Sequence, residues 1–174
     1  MIKINFGCGN NRLEGWQNHD LDIDISKPLP FPNNYADFIL AEHCIEHITH
    51  AEALDFFKEC HRILKVGGVF RVCIPDIERI YYGASVDYCR FISKKGWGEN
   101  SKRGAVEAIV KCHGHQSIWN CKILDIYFAV YGFSTVILPS YKSCYVEMNN
   151  IDGHGKEIGE EFNLVETTVI EGIK

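Results

Sequence analysis

Proline is scarce, 5 in 174 residues, and no internal repeat, low-complexity segment or linker-like stretch interrupts the chain. That excludes a disordered protein and predicts a single domain over residues 1–174. Long apolar runs are also missing; none approaches the roughly 20 residues of a membrane-spanning helix. Met1-Ile2-Lys3-Ile4-Asn5-Phe6 lacks the charged-then-apolar plan of a signal peptide. Membrane and secreted readings are therefore poor, and a cytoplasmic location is expected. Positive charge is in deficit, with 18 Lys and Arg against 23 Asp and Glu for a net −5. A nucleic-acid partner would need the broad basic footprint this chain does not have. Cysteine is present, 8 residues beside 8 histidines, but the paired C-x-x-C spacing of a zinc site is not. Cys44 with His47, and Cys112, His113, His115 and Cys121, offer ligand chemistry without that spacing. No metal is expected, and buried free thiols are the default in a reducing compartment.

What is present describes a folded globular chain, 46% apolar and 12% aromatic. Its first half alternates strand-like and helix-like pieces, as in a parallel sheet with crossovers. Ile2–Phe6, Trp16–Leu21, Asp37–Ala41 and Val69–Ile74 read as strands. Thr49-His50-Ala51-Glu52 is a capping box opening a helix whose apolar face is Ala53, Phe56, Phe57, Cys60, Ile63 and Leu64. Gly67-Gly68 is read as its stop. Residues 77–114 predict two or three short helices over one sheet edge. A further helix, capped by Ser117, is expected to run buried to Tyr131. Ser134–Leu138 and Phe162–Ile170 read as late strands, with Asn149–Gly159 a mobile loop between them.

Gly7-Cys8-Gly9 follows the first strand, at the end of the sheet where open α/β folds bind ligands. A dinucleotide site wants a third glycine where Arg12 stands, and a helix N-terminus to hold the pyrophosphate. Only Asn10–Gly15 separates Gly9 from Trp16, room for little more than one helical turn. A cofactor with a nucleoside but no phosphate loses nothing by this, which points to S-adenosylmethionine (SAM) rather than NAD. Asp20, at the end of the second strand, suits both ribose hydroxyls. Asp22 and Asp24 follow at period two and would share its face in an extended segment. A calcium loop fails, because Ser26 and Phe31 stand where its glycine and final glutamate belong.

These residues resemble the class I SAM-dependent methyltransferases. Ile4-Asn5-Phe6-Gly7-Cys8-Gly9 is similar to the family's first motif and Asn18-His19-Asp20 to the end of its second strand. The stretch from Pro28 to Asp37 resembles "LPFPDNSFD". Glu42-His43-Cys44-Ile45-Glu46-His47 resembles "hVLEH", and Leu64–Phe70 resembles "LKPGGxL". The match covers about residues 2–76, with a looser likeness over His115–Phe133. It implies a Rossmann-like α/β fold: a seven-stranded, mostly parallel sheet with helices on both faces and the last strand antiparallel. It implies SAM contacts at Phe6, Gly7, Cys8, Gly9 and Asp20, with Leu21 beside the adenosine. Asp24 and Ile25 would lie near the adenine, and Glu42 and His43 near the methionine end.

Two departures stand out. Asn5 replaces the family's usual Asp, and the first helix is nearly absent. With the first strand beginning at residue 2, the N-terminal substrate-covering helices are missing too. The lid must come from Ile77–Gly114 or from a partner subunit, which leaves room for a homo-oligomer. The expected activity is transfer of the SAM methyl to a small-molecule or sugar-containing acceptor, releasing S-adenosylhomocysteine. If the acceptor is a hydroxyl a base helps; His47 is the first candidate, then Asp76 and His115. A methyltransferase-like subunit that has lost catalysis and acts through protein contact is the alternative. An NAD oxidoreductase comes third.

Overall fold

The short apolar runs pair into one sheet, and amphipathic segments cover it. The structure, a computed structural model, describes residues 1–138 and 141–174. Its strands are β1 (Lys3–Phe6), β2 (Gln17–His19), β3 (Ala36–Glu42), β4 (Leu64–Pro75), β5 (Ser134–Leu138) and β6 (Thr167–Ile173), in the order β2-β1-β3-β4-β6-β5. β2, β1, β3 and β4 are mutually parallel, and β6 runs antiparallel to both β4 and β5. The described residues thus form six strands, not the expected seven. Between β2 and β3, where another strand would fit, the chain makes successive turns and passes Pro28, Pro30 and Pro32. Prolines that cannot donate to a ladder leave no strand there. The connection from β1 to β2 moves one way along the sheet and that from β2 to β3 returns past β1 to its other side, so the sheet's switch point lies between the loops after β1 and β3.

Helix α1 (His50–Ile63) starts at the expected capping box: Thr49 Oγ1 accepts from Glu52 N–H, and Glu52 Oε2 accepts from Thr49 N–H (2.9 Å). Its Ala53, Phe56, Phe57, Cys60 and Ile63 bury against Ile4, Phe6, Ile39 and Phe70 of the sheet. The helix ends before the glycines. β4 begins at Leu64, and its register jumps from Ala36↔Leu64 to Phe38↔Val69. Gly67 and Gly68 sit in that bulge, exchanging backbone hydrogen bonds with Lys174 (2.8 and 3.0 Å).

The opposite sheet face carries Phe38, Leu40, Val69, Cys73 and Val169, the alternate positions of the same strands. Met148, Ile151, Trp16 and Tyr145 cover it from loops and a 3₁₀ turn, Val146–Met148, and not from helices as the two-faced expectation had it. Of the two or three short helices expected within 77–114 there are three, α2 (Ile77–Gly83), α3 (Val86–Lys94) and α4 (Lys102–Lys111). They form their own small core around Ile80, Tyr88, Ile92, Ala105 and Ala108. Helix α5 (Cys121–Val130) is shorter than expected and is capped by Asn120, whose Oδ1 accepts from Ile123 N–H (2.8 Å). Ser117 is instead buried, donating to Ile45 O and accepting from Trp119 Nε1. Only one face of α5 is buried, because Ile126 and Val130 are exposed.

The C-terminal part departs most. The expected loop contains α6 (His154–Ile158), and the expected strand from Phe162 is the helix α7 (Glu160–Glu166). Phe162 and Val165, three apart, pack on the small core of α2–α4, so their spacing serves a helix face.

Candidate active site

The loop after β1 is shaped by two glycines with positive φ, Gly7 at 63° and Gly9 at 44°. A side chain at Gly7 would put its Cβ 2.5 Å from Cys44 Sγ, so the loops after β1 and β3 touch only because Gly7 has none. At Gly9 nothing lies within 4 Å; the loop there faces open space. Beside it runs a cleft of about 500 Å³ lined by Gly7, Asp20, Leu21, Ile25, His43 and Cys44. Ile23, Asp24, His47 and Ile48 complete its wall. A pocket of this size falls within the roughly 300–1,000 Å³ typical of small-molecule sites. Phe6 is fully buried in the core, edge-on to Phe31 and Phe56, and only its backbone can serve a ligand.

The three aspartates do not share a face, because residues 20–27 turn instead of extending. Asp22 accepts from Asp20 N–H (2.8 Å) and pairs with His19 Nδ1 (2.7 Å), which lowers its pKa. Asp24 accepts from Ser26 N–H (2.9 Å) and Oγ (2.7 Å), with the same consequence. Asp20 differs. None of the hydrogen bonds among the described residues uses its carboxylate, which stands exposed at the cleft beside Leu21, itself 96% exposed.

No helix joins β1 to β2, and an amide network stands in for one. Asn5 Nδ2, buried, donates to Asn11 O (2.9 Å) and Asn18 Oδ1 (3.1 Å). Asn18 in turn donates to Leu13 O and Trp16 O and accepts from Leu13 N–H.

Glu42 ends β3 and is an anchor. Its carboxylate accepts from Gly153 N–H (2.7 and 2.8 Å), His154 N–H (3.0 Å) and Asn11 Nδ2 (3.1 Å). Burial raises its pKa, against the pull of those backbone N–H groups. The segment around Gly153 is thereby docked on the glycine loop. A narrower pocket of about 160 Å³ lies between them, lined by Cys8, Gly9, Asn10, Glu42, His43 and Gly153 among others. Sequence reading missed Gly153 and His154, which lie 111 residues or more from their partner Glu42.

His43, with φ of 46°, occupies the left-handed region that non-glycine residues seldom adopt. It borders the cleft, the narrow pocket and a third chamber. Its Nε2 meets Thr167 Oγ1 (3.0 Å), and its ring stacks on His154 at 3.9 Å. Burial first, and neighbouring histidines second, press its pKa well below the usual value.

The third chamber, about 160 Å³, is walled by His43, His47, His113, His115 and His154 together with Glu46. Ile92, Trp97, Ala108 and Ile109 close it from α3 and α4 and the loop joining them. His47 and His115, predicted as candidate bases, are brought together with ring centroids 5.0 Å apart. Burial lowers the pKa of His115, partly offset by its bond to Ile109 O. Glu46 was not anticipated. It is 1% exposed, and neither carboxylate oxygen has a hydrogen-bond partner. Burial pushes its pKa up to about 8. Glu166, also on the wall, bonds both Tyr88 and His154. Asp76, the remaining candidate base, is held elsewhere. It caps α2 through Glu78 N–H and Arg79 N–H and accepts from Cys121 N–H (2.8 Å) and Thr168 Oγ1 (2.7 Å). With both oxygens engaged, its role in this geometry is to join α2, α5 and β6.

Comparison with known proteins bears on the fold. Residues 5–72 match the model of a family described as a methyltransferase domain. No curated protein matches the sequence. Among solved structures, the chain superposes on a SAM-dependent methyltransferase from Archaeoglobus fulgidus with a TM-score of 0.56 at 14% identity, covering 99% of this chain and 85% of that one. It also matches a chain from the complex of the Haloferax volcanii Trm112 methyltransferase activator with a methyltransferase, at TM-score 0.56 and 12% identity, covering 99% and 81%. A third match is Haemonchus contortus phosphoethanolamine N-methyltransferase 2 with S-adenosyl-L-methionine bound, at TM-score 0.52 and 13% identity, covering 100% and 48%. At such identities the likeness is one of fold.

Proposed function

We propose that this chain is a class I SAM-dependent methyltransferase, a reading supported by the matched domain over residues 5–72 and by the fold, and that it methylates a small-molecule or sugar-containing acceptor held in the histidine-walled chamber. The observation that carries this reading is the position of His43, the shared wall of the cleft, the narrow pocket and the chamber. A cofactor lying along the first two would present its sulfonium methyl beside the third.

The residues fit SAM. Asp20 offers a carboxylate with no other task, suited to both ribose hydroxyls. Leu21 and Ile25 offer apolar surface for the adenine, with Asp24 at its edge. Gly7, Cys8 and Gly9 leave backbone close to the ligand, and Glu42 and His43 stand at the methionine end. When bound, SAM supplies an electrophilic methyl open to in-line attack. The protein's share is orientation and exclusion of water. His47 and His115 can orient or deprotonate an acceptor hydroxyl, and residues 77–114 serve as the lid.

Calorimetric titration with SAM and S-adenosylhomocysteine tests the reading. Both should bind. Asp20→Ala should weaken them by about 1.5–3 kcal/mol, the scale for hydrogen bonds to a charged group. Gly9→Val, which fills the open space at the loop, should abolish binding. Normal binding by both variants would place the cofactor elsewhere.

A second reading, a subunit acting through protein contact, draws support from Asn5: its donated hydrogen bonds go to Asn11 in the short crossover and to Asn18 on β2. The Haloferax relative's activator gives it a precedent. Failure of the folded chain to bind either ligand would favour it.

A further inference from the structure

Glu46, His47 and His115 each place one ligand atom within 4.8 Å of the other two. No other carboxylate in the described core is as conspicuous as Glu46, which is 1% exposed at the wall of the chamber, with no hydrogen bond to either oxygen and only His43 Nδ1, 3.6 Å away, facing it. A buried carboxylate without donors is a costly arrangement that a bound cation would relieve.

His115 is prepared as a ligand. Its Nδ1 lies 2.7 Å from Ile109 O, and a carbonyl oxygen only accepts, so Nδ1 carries the proton and Nε2 the lone pair. Metal-bound histidines are oriented in this way by a second hydrogen bond to a carbonyl or carboxylate. The loop bearing His115 is fastened to the 3₁₀ turn Ile45–His47 by four bonds: Gln116 N–H and Ser117 N–H to Glu46 O (2.8 and 3.2 Å), Gln116 Nε2 to His47 O (2.6 Å) and Ser117 Oγ to Ile45 O (3.3 Å). The three groups are held together before any ion arrives. His47 is exposed, with its ring 5.0 Å from that of His115.

We propose that Glu46, His47 and His115 bind one divalent transition-metal ion of the zinc, cobalt or nickel type at the chamber wall. Two imidazoles and one carboxylate favour these ions over magnesium or calcium, which prefer all-oxygen shells. Ligands of a tetrahedral ion at about 2.1 Å stand roughly 3.4 Å apart, so the side chains close in by about an ångström on binding. Three protein ligands leave a position open toward the chamber. The ion would occupy the ring nitrogens of His47 and His115, so metal binding and direct deprotonation of an acceptor by these histidines are alternative states of the wall; use of the open position toward an acceptor rests on the proposed function. The neighbouring trio, His43, His154 and Glu166, is the weaker candidate, because its groups already satisfy one another, Tyr88 and Thr167. No cysteine joins either trio among the described residues.

The test is titration of the chelator-stripped protein with Co(II), read by visible absorption, and with Zn(II), read by calorimetry, with SAM binding measured in parallel. One equivalent of each ion should bind. Glu46→Gln and His115→Ala should weaken binding tenfold or more, while His154→Ala changes it less than twofold. His47→Ala, at an exposed position, repeats the test without risk to folding. No binding by the wild type, or binding that survives His47→Ala and Glu46→Gln, would overturn the site. So would loss confined to His154→Ala, which would put the ion in the neighbouring trio. Metal binding lost while SAM still binds refutes the metal site alone; the reverse pattern refutes the methyltransferase reading alone.

Discussion

Asn5 donates to Asn11 O and Asn18 Oδ1 from inside the protein, and these two acceptors fix what residue 5 can be. An aspartate there would turn a carboxylate toward two oxygens. Asn5→Asp should therefore destabilise the fold by about 1–3 kcal/mol in urea denaturation, although it introduces the residue type usual in the family the sequence resembles. A variant as stable as the wild type would show that the network does not hold the crossover. Residue-scale geometry was legible where neighbours in sequence decide it, as in the tight turn at Gly7 and Gly9. It was illegible at Glu46 and His154, whose meaning depends on loops brought in from 70 to 110 residues away, and no local spacing signals such a contact.

Among the elements, β4 holds a buried charge that ties the sheet to the site. Arg71, fully buried, donates Nε and Nη2 to Glu171 Oε1 (3.0 and 2.7 Å) and Nη1 to Asp152 (2.8 and 3.1 Å). Asp152 precedes the Gly153 and His154 amides that hold Glu42. Arg71→Met would leave two buried carboxylates without their partner, at a cost of about 3–5 kcal/mol. The thermal midpoint should fall by roughly 6–20 °C for a chain of this size. Adding Glu171→Leu should recover part of the loss; a double variant no better than the single would mean that lost packing, not stranded charge, dominates. Elements with strong local signals, such as α1 with its capping box, were readable to within a residue or so. The segment 149–166 was not. Its glycines look like a loop, and its helix α7 earns its place only against the distant core of α2–α4.

At the scale of the whole molecule, α2–α4 form a body with its own small core, joined to the site through Tyr88, Glu166 and His154. A body with so few apolar ties to the main core should open more readily than α1 does. Hydrogen exchange, followed peptide by peptide, should be faster over 77–114 than over 50–63, and SAM with its product should slow it if these helices close over the ligand. Protection confined to 5–47 would assign the lid to another subunit. The class of fold was visible in the alternation of the first half; the reversed strand β6 was misplaced, because helix α7 runs directly into it. That strand has a consequence for assembly. Among the described residues β5 pairs with β6 alone, and β6 inserts between it and β4. The four parallel strands can gather from crossovers close along the chain, but β5 has no docking edge until Thr167–Ile173 returns across a long loop closure. Folding is thus ordered by wiring, with β5 a latecomer. Until β6 arrives, β4 offers a bare apolar edge that a strand from a neighbouring chain could fill.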